Sequence, residues 1–245
     1  ILKNTFGILI YQDDLLLVDR LAHASLIDAC RLTRARLRVF HHNDVAHVDQ
    51  LLTRNTGARR RLVVTEGLFS MDGDFAPLPS LCDVVQRHGA QLYVDDAHGA
   101  FAVGATGRGS PEVAGVPHGA MIYMGTLGKA LGCQGGFVVG PTPLIRFLQN
   151  RARTFVYATA LATPIVAAAL EALQIVETEA DLRRRLARSV QTLWGHLKGL
   201  PGLRAGAPTH IIPVIVGSSA RARALSVSLW QCGIFAPAIR PPSAP

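Results

Sequence analysis

One lysine of the sequence stands among glycines and small residues, directly after an apolar run. Lys129 lies between Gly128 and Gly132, and the apolar run 120–124 precedes this stretch. Glycines allow a backbone or a flat ligand to approach closely. A partly desolvated lysine has a lowered pKa and becomes a nucleophile, so Lys129 is a candidate for covalent chemistry.

A second apolar run, residues 91–94, ends in Asp95 and Asp96, with His98 two residues later. The two runs predict neighbouring strands that deliver an amine, a carboxylate and an imidazole to one crevice. This trio suits a carbonyl cofactor with a ring nitrogen, because a lysine holds the aldehyde and a carboxylate keeps the nitrogen protonated. The residues therefore predict pyridoxal phosphate, with Asp95 as the carboxylate and His98 within reach of the ring's oxygen.

Pyridoxal phosphate also needs donors for its phosphate and a flat group over its ring. Thr126, three residues before the lysine, offers a hydroxyl, and Ser70 after another predicted strand is a second donor. His23 falls at a strand-to-helix turn, where ligands gather in open α/β sheets, and it could stack on the ring. Each of these residues has an ordinary structural explanation when taken alone, and their occurrence together favours the cofactor.

Other kinds of site fail on spacing. A P-loop needs a glycine where Tyr123 stands and a serine or threonine where Ala130 stands. No Gly-x-Gly-x-x-Gly follows any predicted strand, and Ser70 lacks the glycines of a hydrolase's Gly-x-Ser-x-Gly. A metal on the two aspartates and the histidine of residues 95–98 would leave the lysine unexplained.

A histidine-rich tract at His41, His42 and His47 raises the alternative of a metal site elsewhere. Short tracts of this kind are weak metal signals, and ligands at these positions could converge only on a loop. Asn43 and Asp44 fit more simply as the cap of the following helix. The sequence therefore predicts no metal.

Strands and helical segments alternate along the chain, which predicts an α/β fold with a mostly parallel, doubly wound sheet. Towards the end the pattern changes to a long helical stretch and then to shorter segments. We therefore predict three parts: a large cofactor-binding domain over 1–160, a long connecting helix region over 161–200 and a small C-terminal α/β domain over 201–245.

The second half of the chain carries several further expected elements. A helix is expected over 142–153, an extended crossing over 154–159 and a long helical stretch over 164–197. A strand, a helix and a strand are expected to follow at 211–216, 220–231 and 234–236.

Composition restricts the class of protein. With 245 residues, 49% of them apolar and 17% charged, the chain predicts a folded globular protein. The net charge of +8 comes from dispersed arginines without interleaved aromatics, which argues against a nucleic-acid partner. The sequence has no apolar run of the roughly 18 residues that a membrane span needs and no signal-peptide layout. The cysteines form no CxxC pair, so a cytoplasmic enzyme with reduced thiols is expected.

The longest of these motifs resemble the α-oxoamine synthases, which are fold-type I enzymes that depend on pyridoxal phosphate. The resemblance is carried by residues 65–74 (TEGLFSMDGD), 94–99 (VDDAHG), 107–109 (GRG) and 125–132 (GTLGKALG). It implies that Lys129 binds the aldehyde and that Asp95 is the carboxylate at the ring nitrogen. It further implies catalytic roles for His98 at the ring oxygen and for His23, which stacks on the ring. It also implies that Ser70 and Thr126 contact the cofactor of their own subunit, and that Thr159 reaches the phosphate bound by the neighbouring subunit.

Within the family, residues 19–26, 42–44 and 238–242 are most similar to the members that condense L-alanine with a pimeloyl thioester, of coenzyme A or a carrier protein, in biotin synthesis. The active site of the family lies between two subunits, so the resemblance implies a homodimer. The alternative within the family is a sister enzyme that uses glycine, such as 2-amino-3-ketobutyrate CoA ligase.

The family is longer than this chain at both ends. Its Ser-Gly-Phe-x-x-Asn loop, which helps hold the cofactor, is not found here, and only Asn4 could be its remnant. The family also continues past the position of Pro245 into an arginine-bearing strand. The sequence thus predicts a fragment or a truncated product, and a non-catalytic binding or dimerisation module is the alternative from a different class.

Overall fold

The computed structural model describes residues 6, 9–204, 206 and 208–241 of the chain. Asn4, the expected remnant of a cofactor loop, lies outside the described residues. The chain divides into two compact units, one of Ile1–Ser70 with Phe75–Arg185 and one of Met71–Asp74 with Leu186–Pro245. The predicted domain boundaries at 160 and 200 stay predictions.

A six-stranded sheet forms the centre of the first unit, in the order β2-β1-β3-β4-β5-β6. All neighbouring pairs are parallel except the last, in which β6 runs antiparallel to β5. The predicted doubly wound α/β fold is therefore confirmed. The strands are β1 (Leu15–Asp19), β2 (Arg36–Phe40), β3 (Arg61–Glu66), β4 (Gln91–Asp95), β5 (Ile122–Thr126) and β6 (Gly136–Val139).

Helices cover both faces of this sheet. Successive side chains of a strand point to opposite faces, so Leu15 and Leu17 enter one hydrophobic cluster while Leu16 and Val18 enter the other. Because both faces are covered, the central strands are apolar runs without alternation. The helices of the first unit are α1 (Ala24–Arg31), α2 (Val45–Arg54), α3 (Leu78–Arg87), α4 (Ser110–Val113), a 3-10 turn (His118–Ala120), α5 (Thr142–Arg151), α6 (Arg153–Val156) and α7 (Thr163–Thr178).

The extended crossing expected over 154–159 is wrong, because the short helix α6 occupies its first half. The chain leaves helical geometry at Ala152 and then resumes it, with the Val156 amide donating to the Ala152 carbonyl at 2.8 Å. The long helix expected over 164–197 is also interrupted. It breaks at Glu179 into α7 and α8 (Ala180–Leu197), and the Arg183 guanidinium satisfies the Val176 carbonyl near the end of α7 at 2.6 Å.

The second unit contains the helix α9 (Ser219–Gln231), which confirms the helix expected over 220–231. The strands expected at 211–216 and 234–236 are not formed among the described residues; Val214 makes only an isolated bridge with Leu203. Proline at 213 removes a donor from any ladder there. No helix in the described part of the chain is long and apolar enough to cross a membrane.

Candidate active site

Polar residues end four of the five parallel strands of the first unit. β1, β3, β4 and β5 end in Asp19, Glu66, Asp95 and Thr126, respectively. Because these strands are parallel neighbours, their carboxyl ends lie along one edge of the sheet. Ligands of open α/β sheets bind outside this edge. The strand pairing thus collects the predicted site residues along the expected edge.

Lys129 stands in the turn that joins β5 to the antiparallel strand β6. The turn is closed by backbone hydrogen bonds from Leu127 to Gly135 at 3.0 Å and from Cys133 to Leu127 at 2.8 Å. Gly132 and Gly135 have φ angles of 62° and 122°, in the region that glycine adopts without a steric penalty. These two glycines therefore make the reversal that presents Lys129 at the sheet edge.

The structure brings Lys129 and His98 together. The Lys129 Nζ lies 2.6 Å from the His98 Nε2, across a sequence distance of 31 residues. Partial burial lowers the pKa of the Lys129 amine, although the carboxylates of Asp95 and Glu66 oppose this shift. A lowered pKa increases the neutral fraction of the amine at neutral pH, and the neutral amine is the form that attacks carbonyl groups.

Asp95 lies at the end of β4 and is only 5% exposed. Burial raises the pKa of its carboxyl, while a hydrogen bond from the Ala97 amide and the attraction of Lys129 and His23 lower it. The Ala97 amide donates to Asp95 Oδ1 at 3.0 Å. A buried carboxyl close enough to interact with both Lys129 and His23 meets the requirement for a partner of a cationic ring nitrogen.

His23 and Ser70 stand on the two turns that follow β1 and β3. His23 is the N-cap of α1, and its Nδ1 accepts from the Ser25 amide at 3.2 Å. The histidine ring thus serves as the acceptor that caps this helix. Both turns are joined to Glu66, whose Oε1 accepts from the His23 amide at 2.6 Å and whose Oε2 accepts from the Ser70 amide at 3.3 Å.

Glu66 is a site residue that sequence reasoning missed. It ends β3, is buried and interacts electrostatically with Asp95 and Lys129. Burial raises its pKa to about 7, against the hydrogen bonds from His23 and Ser70. The available signal was a glutamate at the end of the buried run 62–66, where an uncompensated charge is costly.

The two predicted threonines have different surroundings. Thr126 is engaged within the lysine turn, where its Oγ1 donates to the Gly135 carbonyl and accepts from the Gly128 amide, both at 3.1 Å. Thr159 lies on an exposed segment after α6. Within the described ranges, no hydrogen bond connects Thr159 to the other predicted site residues, and its contact with a neighbouring subunit stays a prediction.

Asp96 occupies the position next to Asp95 but points into the protein. It is fully buried, and its oxygens accept from Ser110 Oγ at 2.5 Å, Ser110 N at 2.7 Å and Tyr123 Oη at 2.9 Å. Gly67 and Gly109 approach this carboxylate so closely that a Cβ at either position would overlap it. Asp96 thus anchors the loop 99–110 beneath the end of β4.

The histidine tract divides between two tasks. His42 turns inward, and its Nδ1 lies 3.0 Å from Asp19 Oδ1. The ligand atoms of His41, Asp44 and His47 lie within 4.8 Å of one another. These residues belong partly to the loop before α2 and partly to its first turn. The expectation that ligands at these positions could converge only on a loop is therefore corrected. Asp44 caps that helix by accepting from the His47 amide at 2.9 Å, as the sequence predicted, and His47 Nδ1 accepts from the His41 amide at 3.1 Å.

These residues fit pyridoxal phosphate. An amine with a lowered pKa and an adjacent imidazole stand at the turn after β5, and a buried carboxyl stands at the end of β4. The first can bind an aldehyde covalently and the second can stabilise a protonated ring nitrogen. The turns at His23 and Ser70 are fixed to the same sheet edge through Glu66.

Comparison with known proteins supports this assignment of class. The family described as aminotransferase class I and II matches residues 2–245. This chain is similar to a solved structure of a serine palmitoyltransferase variant from S. paucimobilis with a bound pyridoxal phosphate–myriocin aldimine. The TM-score is 0.91 and the sequence identity is 31%, and the match covers 100% of this chain and 62% of that protein's chain. The chain belongs to the aminotransferase class I and II family, with the fold-type I architecture of its pyridoxal phosphate-dependent members.

Within this family, the chain is similar to proteins named 8-amino-7-oxononanoate synthase. It is 47% identical to the one from Anaeromyxobacter dehalogenans over 239 residues, which are 98% of this chain and 60% of that protein. The solved structure of the one from Francisella tularensis has a TM-score of 0.81 and 25% identity, covering 99% of this chain and 70% of its own. The chain thus spans about three fifths of the length of the Anaeromyxobacter relative.

Proposed function

We propose that the protein containing this chain is a pyridoxal phosphate-dependent acyltransferase that condenses L-alanine with a pimeloyl thioester. The single observation that carries the proposal is the placement of Lys129 beside His98, at the edge where Asp95 is buried. A bond forms between the α carbon of alanine and the acyl carbon, the thiol of the thioester leaves, and the alanine carboxylate is lost as carbon dioxide. The product is 8-amino-7-oxononanoate, an intermediate of biotin synthesis. The names of the relatives support this choice within the family.

Each residue has a defined task in this proposal. Bound pyridoxal phosphate supplies an electron-accepting ring that stabilises negative charge at the α carbon of the amino acid. Lys129 would hold the aldehyde of the cofactor through its amine, and the free amine would remove the α proton of alanine. Asp95 holds the proton on the ring nitrogen, and His98 orients the lysine amine and contacts the ring's oxygen.

The remaining contacts hold the cofactor in place. His23 covers the ring, Ser70 and Thr126 donate to the cofactor, and Thr159 reaches the phosphate bound by the neighbouring subunit. Thr126 can do so because its hydroxyl, which donates to the Gly135 carbonyl at 3.1 Å, can rotate towards an anionic acceptor.

The assay that tests the proposal compares amino acids at a constant pimeloyl thioester concentration. We expect kcat/KM for alanine to exceed that for glycine by about tenfold or more, because one methyl group in a fitted pocket is worth about 10- to 200-fold. Pimeloyl-CoA and the pimeloyl carrier protein are supplied in parallel. A preference for glycine or serine would assign the protein to a sister activity of the family. Cofactor binding without turnover would instead support the alternative that the protein is a non-catalytic binding or dimerisation module.

The proposal includes a homodimer in the cytoplasm. Support comes from the exposed apolar side chains that precede Thr159: Phe155 is 65% exposed and Tyr157 is 75% exposed. Large exposed aromatic residues next to a predicted cofactor contact are typical of an interface. We expect sedimentation velocity at micromolar concentration to give twice the mass of the protein, and a monomer that still turns over would contradict a shared active site.

A further inference from the structure

Glu66 is a buried carboxylate for which neither the proposed reaction nor the secondary structure provides a role. It is 3% exposed at the end of β3, where the removal of a charge from water is expensive unless hydrogen bonds compensate. Any hydrophobic residue would complete the strand at a lower cost. The compensation that Glu66 receives therefore indicates what it does.

The two oxygens of Glu66 serve two different turns. Oε1 accepts from the His23 amide, 43 residues away in sequence, and Oε2 accepts from the Ser70 amide four residues ahead. Bonds from backbone amides to a carboxylate are among the stronger hydrogen bonds of proteins. At 2.6 Å, the contact with His23 is the shorter of the two. One carboxylate thus joins the turn after β1 to the turn after β3.

A direct role in proton transfer fits Glu66 less well. Both oxygens face backbone amides, which exchange no proton with a substrate, and the amine beside the predicted cofactor position already has His98 as its neighbour. The charges that act on Glu66 are Asp95, which disfavours its ionised form, and Lys129, which favours it. Its contacts are those of a residue that sets positions.

We propose that Glu66 is a positioning residue that fixes the spacing between the His23 and Ser70 turns, so that the two side chains hold pyridoxal phosphate in one orientation. This inference rests on the proposed function only for the identity of the cofactor. The ionised carboxylate accepts from both amides at once. A carboxamide offers a single acceptor oxygen, and its NH₂ group would face the remaining amide donor.

The test begins with the protein without cofactor and uses Glu66→Gln, Glu66→Asp and the control Glu112→Gln. Glu112 also accepts from two backbone amides, those of Thr106 and Arg108, both at 2.9 Å, but it does so at the surface. Amide hydrogen exchange reports each contact directly. We expect protection of the His23 amide to fall about tenfold in both Glu66 variants, the typical effect of losing a hydrogen bond to a charged group, while Glu112→Gln affects only its own loop.

The second measurement is made with pyridoxal phosphate. In both Glu66 variants, we expect the dissociation constant to rise about tenfold and the visible circular dichroism of the saturated protein to change, because that signal reports the orientation of the bound ring. Glu112→Gln should leave both within twofold. Glu66→Asp keeps the charge, so normal binding in that variant alone would show that the charge acts rather than the two contacts, and would overturn the inference.

Two other outcomes would also overturn the proposal. One is unchanged protection of the His23 amide with lost affinity, and the other is lost protection with unchanged affinity and dichroism. Failure of the proposed function has a different signature, because the parent protein would then bind pyridoxal phosphate and show the effects of the variants without condensing alanine with a pimeloyl thioester.

Discussion

Lys129→Ala is expected to abolish the visible absorbance of lysine-bound pyridoxal phosphate and to reduce kcat by about a thousandfold or more, the range seen when a group essential to the chemistry is removed. In the proposed reaction, the variant loses both the amine that binds the aldehyde and the base at the α carbon. Folding should be little affected, because Lys129 lies on an exposed turn that backbone hydrogen bonds close without its side chain.

The sequence offers a matched control for this variant. It has only three lysines, Lys3, Lys129 and Lys198, and Lys198 is exposed after α8. Lys198→Ala should keep the absorbance and the rate of the parent protein. Borohydride reduction followed by peptide mapping should place the cofactor on Lys129 alone. Labelling of another lysine, or an unchanged spectrum in Lys129→Ala, would contradict the assignment.

The predictable part of the site is the part that local pattern determines. Lys129 and Asp95 each follow an apolar run, and parallel pairing brings the ends of such runs to one edge. Turn chemistry fixes the rest of the lysine's placement, since Gly132 and Gly135 take positive φ angles. The parallel sheet could be predicted from the same apolar runs, because strands that are buried on both faces are continuously apolar and do not alternate between apolar and polar residues.

Long-range polar contacts could not be predicted in this way. The task of Glu66 depends on an amide 43 residues away, and a glutamate at a strand end carries no local mark of such a partner. Asp96 was likewise visible only as the neighbour of Asp95. For a similar reason, the strands predicted at 211–216 and 234–236 are not formed among these described residues. An apolar run becomes a strand only where another strand is available to pair with it, and this depends on distant parts of the chain.

The other large effect is expected from Asp96→Ala, which should lower the free energy of unfolding by about 3 kcal/mol and weaken cofactor binding as a consequence. The substitution leaves the Tyr123 hydroxyl and two donors of Ser110 without their acceptor. Each unsatisfied buried donor costs about 1–3 kcal/mol, and the relief of burying a charged group offsets part of the sum. Urea unfolding measures the change, and Asp83→Ala on the same unit is the control, since Asp83 is exposed on α3.

The pH dependence separates the hydrogen bonds of Asp96 from its charge. Burial raises the pKa of Asp96 to about 6 from an ordinary value of 3.8, so the folded state holds the proton more tightly than the unfolded state does. The stability that this provides is complete below the ordinary value and is lost as pH rises through 6. Asp96→Asn keeps the shape but cannot ionise, so the stability advantage of the parent protein over this variant should shrink between pH 4.5 and 7.5. An advantage that grows over this interval would mean that the ionised carboxylate is stabilised in the fold, and that its three donors outweigh the cost of its burial.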